Sequence, residues 1–175
     1  QKNRNMDAMG QLEAINRNQA VIEFNLDGTI ITANPNFCNA VGYALSDIKG
    51  RHHRMFVEPA YGSRMEYQQF WESLRRGEFQ AAEYKRVGAD GRVIWIQASY
   101  NPIKNADGVA MKVVKYATDI TAQKRGQQDL ARLIAAASAG KLDQRIDATG
   151  YQGPTLAMVE GVNQLMDGVA TPLRE

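Results

Sequence analysis

The chain has 175 residues, 44% hydrophobic, with 21 basic and 19 acidic side chains and a formal net charge of +2. That length suits one compact domain with appendages or two small domains. The near-balance of charge gives no basic face for nucleic acid. Cys38 is the single cysteine, so an intramolecular disulfide or multi-cysteine zinc site is excluded, in keeping with a reducing compartment. No run approaches the roughly 20 apolar residues that span a bilayer, and the polar opening, residues 1–18, has no signal-peptide pattern. A cytoplasmic location without membrane contact from this segment is expected.

Residues 1–19 carry Met6, Met9, Leu12 and Ile15 on one narrow helical stripe, which predicts a connector helix needing a partner. From Ala20 the texture changes. Residues 21–24 and 29–32 read as strands around an Asn25-Leu26-Asp27-Gly28 turn, a strong hairpin signal. Asn34 and Pro35 open a helix through Val41 that Gly42 ends, and a short helical piece follows Ser46. Residues 63–76 form the clearest helix of the first hundred, with Met65, Phe70, Trp71 and Leu74 as its apolar face.

Three strands are expected next, over 79–87, 92–101 and 111–119. Turns containing Asp90-Gly91 and Asp107-Gly108 separate them, with Pro102 closing the middle strand. The order predicts an α+β domain with a five-stranded antiparallel sheet and helices on one face. Beyond Ile120 the pattern is helical. Leu130, Leu133, Ile134 and Ala137 mark a first stripe, and Val159, Val162, Met166, Val169 and Leu173 a 3/4 seam that predicts a homodimer.

Residues 20–123 resemble the PAS family through the runs FNLDGTIITANPNF, VGYALSDIKGRHHRMF, ADGRVIWIQASYNPI and VVKYATDIT, in family order. Asp119-Ile120-Thr121 is similar to the triplet by which PAS domains hand their last strand to an output helix. GRHHRMFVEP followed by FWESLRRGEF is similar to PAS domains of aerotaxis-type chemoreceptors. Residues 124–175 resemble a divergent HAMP module, with Tyr151-Gln152-Gly153-Pro154 in place of the usual acidic signature. The division expected is therefore a connector helix (1–19), a PAS domain (20–123), and a helical linker with a HAMP-like module (124–175).

The resemblance places any ligand between the helices and the sheet. Candidate contacts are His53, Trp71, His52, Asn34, Ile96 and Tyr100. Flavin photochemistry through a thiol is set aside, because His53 stands where the reactive cysteine would be. Bound FAD is favoured by Trp71 and His53, which align with residues of aerotaxis receptors, and opposed by Ile96 and Ala117 where flavin partners are polar. Haem b would need His53 or His52 as its axial metal ligand. A cofactor-free domain is the further alternative. For the histidines the plain structural expectation is one capping local backbone and the other facing solvent.

No nucleophile–base–orienter set and no P-loop points to an enzyme. The resemblance implies a non-enzymatic sensory relay of a bacterial chemoreceptor. It would pass its signal through a dimer to downstream signalling helices and a kinase–adaptor array. The alternatives are an interaction scaffold, or the sensory part of a kinase or cyclase.

Overall fold

The computed structural model describes residues 1–171 and divides into two compact units, Gln1–Asp119 and Ile120–Glu175. The first opens with helix α1 (Lys2–Asn18), whose Met6, Met9, Leu12 and Ile15 are all exposed. The following domain therefore leaves that stripe uncovered. Strands β1 (Ala20–Phe24) and β2 (Ile30–Ala33) form the expected hairpin, and helix α2 (Pro35–Val41) starts and stops where its caps place it. Asn34 Oδ1 accepts from the Phe37 amide, while Gly42 takes a φ of 77° that closes the helix in the left-handed region.

Short helices α3 (Leu45–Ile48) and α4 (Pro59–Gly62) flank a 3-10 turn at His53–Phe56, and α5 spans Met65–Arg75. Three strands complete the unit: β3 (Gln80–Val87), β4 (Val93–Lys104) and β5 (Ala110–Asp119). The sheet is antiparallel throughout, in the order β2-β1-β5-β4-β3. Its core joins Phe24, Phe37, Phe56, Trp71, Leu74 and Tyr100 between the inner sheet face and the helices.

Two details differ from the sequence expectation. Met65 is 68% exposed, and Tyr67 takes the inward place with Trp71 and Leu74, at helical spacing of four and three. Pro102 does not end β4, because β3 pairs no further along it than Tyr100. Past that point β4 is an edge on that side, where a missing N–H costs no ladder bond.

The second unit has helices α6 (Thr121–Ser138) and α7 (Gly153–Ala170), so residues 121–123, assigned above to the PAS segment, already belong to a helix. Leu133, Ile146, Tyr151, Val159 and Met166 form its core, and Val159 is fully buried. Gly126 permits close approach of the helices, since a Cβ there would lie 2.7 Å from Thr155 Cγ2. The connector is pinned by a reciprocal pair: Asn163 Oδ1 accepts from the Ile146 amide at 2.9 Å, and Asn163 Nδ2 donates to the Ile146 carbonyl at 2.8 Å. The expected seam is thus used mainly within the chain. Val169 remains exposed, and Leu173 lies outside the described residues.

Candidate functional site

The sequence places an imidazole in the middle of the first unit. Residues 50–53 run against the β1–β2 turn: the Ile30 amide donates to the Arg51 carbonyl, and the His53 amide to the Gly28 carbonyl at 2.8 Å. His52 then caps locally. Its Nδ1 accepts from the Arg54 amide, which leaves Nε2–H to donate to the Asp27 carbonyl at 2.8 Å. The Gly28 site has no room for a Cβ, which would stand 2.5 Å from that Nε2.

His53 consequently turns inward and is fully buried, rather than facing solvent. Its ring is stacked on Tyr67 and meets Phe24, Trp71 and Tyr100 edge-on. Nδ1 lies 2.8 Å from Tyr67 Oη and Nε2 lies 3.0 Å from Tyr100 Oη. The Tyr100 hydroxyl also receives Arg86 Nη2 at 3.1 Å and the Lys115 ammonium. A phenol has one proton to donate, and both lone pairs are taken by the cations. Tyr100 therefore donates to Nε2, and His53 carries its proton on Nδ1 toward Tyr67.

Electrostatics agree with a neutral ring. Burial, then the charges of Arg86, Lys115 and His52, push His53 well below the ordinary value of 6.5. Burial raises Tyr67 to about 12. For Tyr100 burial acts upward, but Arg86 and Lys115 together outweigh it and hold the phenol below its usual range. Burial lowers Lys115 itself.

The residues anticipated from the sequence separate into two groups. His53, Trp71, Ile96 and Tyr100 meet in the interior. His52 serves the turn, and Asn34 ties α2 to the end of α1, accepting from the Val21 and Phe37 amides and donating to the Asn16 and Gln19 carbonyls. Tyr67, Arg86 and Lys115 were not anticipated. The signal for two of them was strand alternation: Arg86 shares a face with Tyr84, and Lys115 falls between Val113 and Ala117 on the inner face.

The fit of a large cofactor can be tested on this interior. Flavin- or haem-sized ligands occupy cavities of about 300 Å³ or more. The space bounded by Phe37, Phe56, Arg86, Ile96, Lys115 and Ala117 is about 20 Å³, little more than one water site. Both His53 nitrogens are engaged by hydroxyls, so neither is aimed at an iron. Ile96 and Ala117 offer side chains with no hydrogen-bonding atom. In this arrangement neither group fits. Among the described residues there is also no cluster of three or more metal-ligating side chains.

The sequence profile described as the PAS fold matches residues 30–117. The chain belongs to the PAS family. This PAS protein is 39% identical over 122 residues to the biofilm dispersion protein BdlA of Pseudomonas aeruginosa. That match covers 70% of the chain but only 29% of the relative's length. Among solved structures it resembles an RNA-binding light-oxygen-voltage receptor, with a TM-score of 0.59 at 22% identity, over 72% of this chain and 37% of that one. It also resembles a light-oxygen-voltage domain studied with a flavin analogue, with a TM-score of 0.55 at 19% identity, over 75% and 96% of the two chains. At these identities the likeness to the light-oxygen-voltage structures is one of fold. Among the described residues of the PAS protein, no helix is long and apolar enough to cross a membrane.

Proposed function

We propose that this chain is a non-enzymatic sensory and relay segment of a chemoreceptor-type signalling protein. Its PAS interior responds to a small ligand and its C-terminal helices carry the response onward. The observation that carries the reading is the position of Lys115. It sits on β5 directly opposite Tyr100 of β4, and its ammonium reaches the hydroxyl that also holds His53. A change at the centre of the domain therefore acts on β5, which ends at Asp119, with Ile120 alone between it and the start of α6 at Thr121. Such coupling does work only when the stimulus favours one of two arrangements over the other.

In this reading the protein is cytoplasmic and the segment works as a homodimer. Residues 124–175 act as a divergent HAMP-like transmitter toward signalling helices and a kinase–adaptor array. Similarity to a biofilm dispersion protein supports a role in signal response. The light-oxygen-voltage likeness makes flavin the natural cofactor for comparison, and the filled interior favours a ligand smaller than flavin.

Tyr100→Phe tests the relay, since it preserves shape and deletes the hydroxyl shared by His53, Arg86 and Lys115. Amide hydrogen exchange on the intact segment is expected to change along β5 and into α6. Changes confined to β4 and the 3-10 turn would overturn the relay.

A further inference from the structure

Arg86 and Lys115 are 5% and 1% exposed, and among the described residues neither makes an ion pair. Buried charges are ordinarily paired with an opposite charge. These two have instead a shared phenol and aromatic faces. Arg86 lies 4.6 Å over the Tyr84 ring, and Lys115 lies 4.8 Å over Tyr100 and 5.6 Å over Phe37. Arg86 donates from Nη1 to the Lys85 carbonyl, but its Nε is buried with no partner in the protein. Both cations line the 20 Å³ cavity, whose other walls include Phe37, Phe56, Ile96 and Ala117. Asp119 borders the cavity too, but its side chain is exposed and has interactions of its own.

We propose that this cavity binds a short-chain monocarboxylate, its carboxylate held by Arg86 and Lys115 and its alkyl end against Phe37, Phe56 and Ile96. The proposal rests on the sensory reading above and names the ligand class. A carboxylate supplies the missing negative charge, and its planar pair of oxygens matches the guanidinium fork, including the orphan Nε–H. The apolar walls have nothing to offer a second charged group, which excludes dicarboxylates. A nucleotide would demand a far larger opening of the closed 20 Å³ space than a short-chain acid does.

The cavity as it stands has room for about one water. A carboxylate with its alkyl end is larger, so it enters only when α2, which carries Phe37, yields against β4 and β5. The ligand thus favours an opened arrangement over the closed one, which is the condition for shifting an equilibrium. Because Lys115 is one of its two anchors, the displacement acts on β5 directly.

The experiment uses the intact segment with sodium formate, acetate, propionate and butyrate, at ionic strength held constant with sodium chloride. The melting temperature is expected to rise with the concentration of acetate or propionate, and Arg86→Gln or Lys115→Met to weaken the apparent affinity at least tenfold. Equal shifts in wild type and variants, or no shift over chloride alone, would overturn the site. Should the variants not fold, saturation transfer on the wild type decides the matter. Transfer between the acetate or propionate protons and the rings of Phe37 and Phe56 supports the site, and its absence overturns it. Failure here, with Tyr100→Phe still altering exchange in α6, removes the ligand and leaves the relay. Binding without any response in α6 removes the relay and leaves the site.

Discussion

His53 Nε2 lies 3.0 Å from Tyr100 Oη, and that contact joins the 3-10 turn on the helical side of the interior to strand β4. Tyr100 in turn faces Lys115 across the β4–β5 ladder and receives Arg86 from β3. One hydroxyl therefore holds four elements of the domain together.

Removing that hydroxyl has a defined cost. Tyr100→Phe leaves His53 Nε2 unpaired in a buried site and deprives two buried cations of their common acceptor. Unsatisfied buried polar groups cost about 1–3 kcal/mol, so a loss of about 3 kcal/mol is expected for the pair of effects. Urea unfolding of the two proteins measures it. A loss below about 0.5 kcal/mol would show the network to be energetically idle.

Protonation of His53 gives a second expectation. The folded ring titrates well below 6.5 and the unfolded one near that value. As pH falls through the ordinary histidine range the unfolded chain takes up the proton first, so stability falls. Above that range the group contributes no pH dependence. Below about pH 7 stability should therefore fall toward acid, with a slope bounded by one proton's worth, about 1.4 kcal/mol per pH unit. Denaturant unfolding of His53→Gln should lack that component, and an unchanged slope in the variant would place the proton elsewhere.

In the helical unit, Val159 is fully buried among Leu133, Ile146 and Met166, while Leu165 is exposed. Val159→Ala should destabilise this unit by about 2 kcal/mol through lost burial and the cavity left behind. Leu165→Ala should change it by less than about 0.5 kcal/mol. Circular dichroism during denaturation follows both, and equal effects would contradict the packing described.

Gly88 has an ordinary backbone conformation but no room. An added Cβ would lie 2.7 Å from both the Val41 carbonyl oxygen and Ile94 Cδ1. Because one neighbour is backbone, relief requires moving the end of α2. Gly88→Ala should therefore cost about 1–3 kcal/mol by overpacking, read as a lower melting temperature. A neutral or stabilising effect would mean that α2 yields easily at this end.

The local grammar of the fold was legible in the sequence. Asn34-Pro35 and Gly42 bracket α2 at its observed ends, and the Asp-Gly turns lie between the strands they were expected to join. Tertiary geometry decided what was not legible. Pro102 is tolerated only because β3 stops short of it, which no local pattern announces. Val159 and Met166 had the spacing of a seam between copies, and the same spacing served packing within the chain. For the site, His53, Trp71, Ile96 and Tyr100 could be chosen from the resemblance and strand alternation. The alternation also turned Lys115 inward, but a lysine at such a position reads as surface until the ladder fixes its register against Tyr100. Tyr67 was masked by Met65, which is more apolar but off the buried stripe.

The decisive measurement breaks the link between β5 and α6. A flexible run of glycines is inserted beside Ile120, at the boundary of the two units, to uncouple the strand from the helix, and circular dichroism verifies that the insert protein is folded. Amide exchange is then compared between Tyr100 and Tyr100→Phe proteins, with and without the insert. Transmission through β5 requires that the substitution alter exchange in α6 only in the uninterrupted chain. An α6 response that persists across the insert would show that the signal leaves the domain by another route.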